Sequence, residues 1–195
     1  VDTGRWYHEG VDYAIAHGLM NGVGNGMFEP ESSMTRAMLV TVLWRYAGSP
    51  AGWENPFTDV PNGSWFTQAV AWAAENGIVN GVGNHKFEPD SNITREQMAA
   101  ILFRYAQYKG MDTVTLEENL TGFADADEIS GYAVSALNWA VGAGVLKGTG
   151  TGLDRAEIMA KGFEVDLGPD MFFKGLGLHH DSSFFAVCIK LPRPV

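Results

Sequence analysis

Apolar residues along this chain recur at three- and four-residue steps in several separate stretches, which is typical of amphipathic helices. Such stretches cover residues 6–17, 36–47, 65–76 and 132–143, and a further one begins at Arg95. In the first helix of each pair we expect these residues to face inward: Val11 and Ile15, Val70 and Ala73, Leu137 and Val141. In the second helices the predicted buried stripes are Leu39, Val40, Val42 and Leu43, then Met98, Ala99, Ile101 and Leu102. The pattern predicts a mainly α fold of paired helices.

The helix pairs belong to an internal repeat, because residues 18–30 return almost unchanged as residues 77–89. The register holds beyond this segment, at a constant offset of 59 positions. Matched in this way are Trp6 and Trp65, Gly22 and Gly81, Phe28 and Phe87, and Arg36 and Arg95. Each unit therefore reads as helix, glycine loop and second helix, and the fold has to be argued from this repetition.

Local signals predict where these helices begin and end. Gly18 ends the first helix, since glycine readily adopts the left-handed conformation of a helix C-terminus. The glycine-rich residues 21–26 predict a tight loop. Thr35 and Thr94 are the expected N-caps of the second helices, and Gln97 completes a capping box in the second unit.

The repeat predicts three units and an unassigned remainder. We expect the units at residues 1–48, 57–109 and 121–162, followed by an irregular C-terminal tail at 163–195. The third unit is shortened: 14 steps separate Gly81 from Arg95, but only 7 separate Gly148 from Arg155. In the tail, residues 184–189 are either a short buried strand or part of a poorly ordered segment.

Composition and charge exclude several classes of function. A formal net charge of -10 argues against a general nucleic-acid binder, which needs a cationic surface. The sequence contains no apolar run of about 18 residues, so we predict no membrane span. The chain does not open with a leader-like segment, so we expect a leader already removed or a start within a longer protein. Cys188 is the only cysteine, and His179 and His180 lack a third ligand, so we expect neither metal nor cofactor.

The combination of motifs resembles the S-layer homology (SLH) domains of bacterial surface proteins. The motifs are Phe-x-Asp at residues 57–59 and 123–125, a helix led by an aromatic residue, the glycine loop, Phe-Glu-Pro and Thr-Arg. The resemblance implies three repeats packed as a pseudo-threefold helical bundle. It also implies a secreted cell-surface module, part of a longer surface protein, whose inter-repeat grooves bind secondary cell-wall polysaccharide, often pyruvylated.

Two sets of residue types support this chemistry. A guanidinium at a helix N-terminus does not serve the helix dipole, so we expect Arg36, Arg95 and Arg155 to bind a ligand carboxylate together with free backbone N–H groups. The alternative for Arg36 and Arg95 is a surface arginine paired with a nearby carboxylate, but the recurrence of Thr-Arg favours the ligand. Replacing Arg36 or Arg95 by alanine should then weaken retention on cell-wall sacculi without unfolding the protein. Loop glycines, Gly24 and Gly83 among them, allow a sugar to approach the backbone.

Aromatic and acidic residues complete the candidate set. Trp6 and Trp65 offer flat faces for a sugar ring, with core packing as an equal alternative. Asp59 and Asp125 are further candidates, although short acidic residues before a helix are more often caps or turn formers.

The alternative functions are a protein–protein or self-assembly scaffold and, with little support, an enzyme with its site in the tail. No catalytic set recurs with the repeat, and we expect a protein that is not an enzyme.

Overall fold

Five α-helices make up most of the regular structure in the part of the chain that is described. The computed structural model describes residues 2–5, 7–115 and 118–146. The elements are α1 (His8–Ala16), α2 (Arg36–Tyr46), α3 (Thr67–Glu75), α4 (Arg95–Tyr108), a 3₁₀ turn (Ala126–Glu128) and α5 (Val134–Gly142). Over these residues there are isolated β-bridges but no strand, which confirms the mainly α fold class. The predictions for Arg155, the pair His179 and His180, and the tail lie outside the described residues.

The helix boundaries follow the signals in the sequence. Thr35 and Thr94 cap α2 and α4: each side chain accepts a hydrogen bond from the backbone N–H three residues later. The backbone N–H of Thr94 in turn donates to the Gln97 side-chain oxygen, which completes the predicted capping box. The first helix of each unit ends before a glycine with positive φ, at Gly18, Gly77 and Gly144. No helix among the described residues is long and apolar enough to cross a bilayer.

Packing runs from one unit to the next. The second helix of a unit lies against the first helix of the following unit, so that α2 contacts α3 and α4 contacts α5. The predicted stripes of α2 and α4 are buried in the common core. Neighbouring units therefore share a core, while Tyr7 and Val11 form a second, smaller cluster with Met20 and Phe28 inside the first unit.

One predicted core position is wrong. Ile15 was expected to face inward beside Val11, but its side chain is 51% exposed, whereas Ala14 is fully buried. The repeat register explains this, since Ala14 corresponds to Ala73 of α3, which is also fully buried. A small residue at this position lets the helix approach its neighbour closely, and the adjacent position points away. The other predicted inward positions are buried, except that Val141 is partly buried against the core.

The glycine loop is a tight turn whose shape leaves no room for a side chain at Gly81. Backbone bonds from Val82 N–H to Lys86 O and from Lys86 N–H to Gly83 O close the turn. Gly81 has φ +70°, and an added Cβ would lie 2.5 Å from the Lys86 carbonyl oxygen and 2.7 Å from Phe57. The loop therefore needs glycine for backbone conformation and for close packing.

Candidate functional site

Arg36 joins the first unit to the second. It is the first residue of α2, and its side chain is only 4% exposed. Its Nε donates to the Phe87 carbonyl at 2.8 Å, and the guanidinium lies 4.8 Å from the Phe87 ring centroid. Burial lowers the pKa of Arg36, while Glu88, Tyr132 and Asp59 act in the opposite direction. Arg36 thus contacts the loop of the second unit and lies in the field of Glu88 and Asp59 from that unit and of Tyr132 from the third.

The N-terminus of α2 is closed to an anion, contrary to the expectation of free N–H groups there. The backbone N–H of Arg36 donates to Ser91 O, and that of Ala37 donates to Pro89 O, each at 3.0 Å. The N–H of Met38 is bound by the Thr35 cap. Carbonyl groups of the second unit therefore take the positions that a ligand carboxylate would need.

Arg95 occupies the equivalent position at the start of α4 and is 5% exposed. Burial lowers its pKa, and the opposing influence comes from Asp125 of the third unit. Asp125 is itself buried. Arg36 with Asp59 and Arg95 with Asp125 thus repeat one arrangement, in which the Thr-Arg arginine of a unit lies in the field of the Phe-x-Asp carboxylate of the next unit.

Asp59 holds the second glycine loop. Its two carboxylate oxygens accept the backbone N–H groups of Phe87 and Glu88, both at 2.8 Å. Burial raises the pKa of Asp59, but these hydrogen bonds to the ionised form outweigh it and leave the pKa below its ordinary value. Asp59 therefore has a structural role: its carboxylate holds the backbone of residues 87 and 88 in place.

A cavity lies at the junction between the first and second units, which we call the first junction. Its volume is about 430 Å³, enough for a sugar ring with substituents. One wall is the first glycine loop, including Leu19 and Gly22; another is the α2 face that carries Thr41 and Arg45; and Trp65 of the second unit completes it. Neither Arg36 nor Arg95 is among its lining residues.

Trp65 lies at the surface and not in the core, which was the equal alternative. It is 56% exposed and packs edge-to-face on Phe66, with ring centroids 5.0 Å apart. The third unit has Tyr132 at the same position, where the side chain is 55% exposed. Tyr132 was not among the predicted site residues, although its alignment with Trp65 in the repeat is the sequence signal that identifies it.

A second repeated arginine was also missed. Arg45 lines the first-junction cavity and donates from Nη1 to the Leu19 carbonyl at 3.0 Å. Arg104 lies 59 positions later, in the register of the repeat, and its charge acts on Tyr132. The signal was present in the sequence as Trp-Arg-Tyr at residues 44–46 and Phe-Arg-Tyr at residues 103–105.

The remaining predicted site residues lie at the surface or outside the described part of the chain. Gly24 and Gly83 are exposed and have positive φ in their turns. Trp6 and Arg155 fall outside the described residues. In the part of the chain that the structure describes, no group of three or more His, Cys, Asp or Glu side chains is arranged to hold a metal ion.

Tandem helical units that share a core and form a cavity where two of them meet define a repeat-built binding module. The S-layer homology domain family matches the chain at residues 2–37, 56–99 and 122–153. The chain belongs to this family, whose domains are binding modules and not catalytic ones.

Relatives support the same assignment and indicate a location at the bacterial cell surface. The chain is 33% identical to the surface-layer 125 kDa protein of Lysinibacillus sphaericus over 72% of its residues. It is 30% identical to the S-layer protein sap of Bacillus anthracis over 77%, and 36% identical to an endoglucanase of Bacillus sp. (strain KSM-635) over 61%. It covers only 12%, 18% and 12% of those proteins' own lengths.

Proposed function

We propose that this chain anchors a longer surface protein to the bacterial cell wall by binding secondary cell-wall polysaccharide, with a pyruvylated sugar as the preferred ligand. The units that do so are those at residues 1–48, 57–109 and 121–162. The single observation that carries the proposal is the first-junction cavity, which combines a glycine loop with the exposed face of Trp65. Family membership and the surface-layer relatives support anchoring as the role.

The chemistry of the cavity suits a glycan. An indole face beside a concave, partly apolar surface can cover the apolar face of a sugar ring. The wall also carries hydroxyl and guanidinium groups that can orient sugar hydroxyls or an acidic substituent. A site built from side chains of two units binds only when those units are correctly packed.

Arg36 and Arg95 remain proposed site residues, but their first role is to position adjacent units. Each is nearly covered and lies in the field of the following unit, so its first effect is to hold adjacent units in the geometry that shapes the junction. Direct contact of either guanidinium with ligand stays a prediction, as do the ligand roles of Arg155, Trp6, Asp59 and Asp125.

The test is retention of the chain on purified sacculi and on protein-free wall polysaccharide, with and without removal of pyruvyl groups. We expect Trp65→Ala to weaken retention by about tenfold or more, as for loss of a central aromatic contact. Tyr108→Ala is the matched control, because Tyr108 is an exposed aromatic outside the cavity. Equal retention of both variants, or binding to protein partners but not to the polysaccharide, would reject the proposal.

A further inference from the structure

Two polar groups on one face of α2 are positioned for a ligand in the first-junction cavity. Thr41 and Arg45 are four residues apart, so they lie one above the other on the helix. Both line the cavity, as does Trp65. Glu29 is the acidic residue in the wall; it is exposed, and its carboxylate accepts a bond from the Ser32 hydroxyl.

Thr41 is 2% exposed, and its buried hydroxyl oxygen has no hydrogen-bond partner among the described residues. A buried hydroxyl without a partner is costly, and such groups in native proteins call for an explanation. A ligand atom in the cavity would supply the missing partner. The group therefore points to an occupant with a polar atom at that depth.

Arg45 retains most of its donors for an occupant. One of its five N–H groups is used by the Leu19 carbonyl, and in the described part of the chain it makes no ion pair. A guanidinium with free donors in the same cavity as an aromatic ring is suited to a carboxylate carried on a sugar ring.

The junction between the second and third units, which we call the second junction, differs at three corresponding positions. Ala100 replaces Thr41, so the buried hydroxyl is lost, and Tyr132 replaces Trp65. Glu96 replaces Ala37 and is 5% exposed.

The carboxylate of Glu96 is engaged within the second junction. It accepts the Ser130 backbone N–H at 3.3 Å and is hydrogen-bonded to Tyr132. Glu96, Arg36 and Arg104 all act electrostatically on Tyr132, so both arginines share their surroundings with a carboxylate of the protein itself. Ala37 supplies no such charge at the first junction, where the acidic residue of the cavity wall is the exposed Glu29, which accepts a bond from the Ser32 hydroxyl.

We propose that the two junctions have different ligand preferences: the first binds the acidic sugar, with Trp65 on the ring, Arg45 on the carboxylate and Thr41 on a buried polar atom of the ligand. The second junction prefers an acidic sugar less, because Ala100 offers no hydroxyl there and the Glu96 carboxylate is already hydrogen-bonded to its aromatic residue, Tyr132. This inference rests on the proposed function and adds the identity of the binding groups.

The experiment is calorimetric titration of the full chain with a synthetic pyruvylated N-acetylhexosamine and with the same sugar lacking the pyruvyl group. We expect the wild type to prefer the acidic sugar. Arg45→Ala should weaken its binding roughly 10- to 100-fold, as expected for loss of a hydrogen bond to a charged group. Lys109→Ala removes the same charge at an exposed site and should change little. Arg104→Ala should change the affinity by no more than about twofold, within the spread of neutral surface changes.

Thr41→Val separates a binding role from a structural one. Valine replaces the hydroxyl by a methyl group of similar size, so the free protein should keep or raise its melting temperature, because a buried hydroxyl without a partner is removed. Binding of the acidic sugar should weaken by roughly 2- to 10-fold, since a neutral hydrogen bond is lost. A lower melting temperature with unchanged affinity would overturn the role given to Thr41.

The outcomes distinguish this inference from the proposed function. If the wild type is retained on sacculi but binds both sugars equally, or if Arg104→Ala weakens binding as much as Arg45→Ala, the inference fails and anchoring stands. If the wild type is not retained on sacculi and binds neither sugar, both fail. Loss of acidic-sugar binding in Arg45→Ala alone, with the fold intact by circular dichroism, supports the inference.

Discussion

Replacing Arg36 with alanine should lower stability as well as any binding. The side chain is almost fully covered, and its removal leaves the Phe87 carbonyl without the 2.8 Å bond from Nε. An unsatisfied buried acceptor costs about 1–3 kcal/mol. Loss of the guanidinium from the Phe87 ring adds about 0.5–2 kcal/mol. Release of the desolvated charge offsets part of this, so we expect a net loss of about 3 kcal/mol in the free energy of unfolding.

For a chain of this size, about 3 kcal/mol corresponds to a fall in melting temperature of roughly 6–12 °C. Thermal unfolding followed by circular dichroism at 222 nm measures it directly. Arg5→Ala, at an exposed arginine in a surface pair with Asp2, serves as the control and should leave the melting temperature nearly unchanged. A melting temperature for Arg36→Ala within about 2 °C of the wild type would refute the reasoning, because the buried bond would then carry no net energy.

Three further predictions follow from single contacts. Asp59→Asn should lose stability at neutral pH. Because folding lowers the pKa of Asp59, the wild-type advantage is present above about pH 4 and disappears as the pH falls through the lowered pKa. Urea midpoints at several pH values measure this difference. Gly81→Ala should cost about 3 kcal/mol, against about 1–2 for Gly83→Ala, because both have positive φ but only the first Cβ meets other atoms; equal urea midpoints would contradict this. Thr94→Ala should cost about 1 kcal/mol in thermal unfolding through loss of the α4 cap, and no change would mean that the cap bond is replaced by water.

The arginine experiments also separate two explanations of reduced wall binding. From the sequence we predicted that alanine at 36 or 95 would weaken retention while the protein stays folded. The burial of both arginines means that reduced retention has to be measured well below the melting temperature of each variant. Arg45→Ala is the cleaner probe, since Arg45 lies in a cavity wall and is only partly buried.

Local signals were predicted well because they depend on a few neighbouring residues. The N-caps at Thr35 and Thr94 and the glycine termination at Gly18 and Gly77 are confirmed, since each needs only a side-chain oxygen or a freely accessible positive φ. The buried stripes of α2 and α4 are confirmed for the same reason. Ile15 was wrong because helical spacing does not say which of two adjacent apolar residues meets the neighbouring helix.

The candidate site was predicted less completely, because it is formed between units. The repeat identified Trp65, which lines the cavity. The Thr-Arg motif led to the prediction of Arg36 as a site residue, whereas Arg45, which lines the cavity, was not predicted. The α2 N-terminus looked available in sequence, yet carbonyls of residues 89 and 91, over fifty positions away, accept its N–H groups. Sequence spacing carries no information about such a partner.

By itself the sequence determined the mainly helical class, the repeated unit, its caps and loops, and the resemblance to a wall-binding family. Each of these depends only on the spacing of nearby residues or on the similarity between repeated segments. Only the tertiary structure decided that the second helix of one unit packs on the first helix of the next, and that Trp65 and Arg45 face one cavity. The physical reason is that each unit completes its core and its polar contacts with groups from its neighbour, and this pairing exists only once the chain has folded.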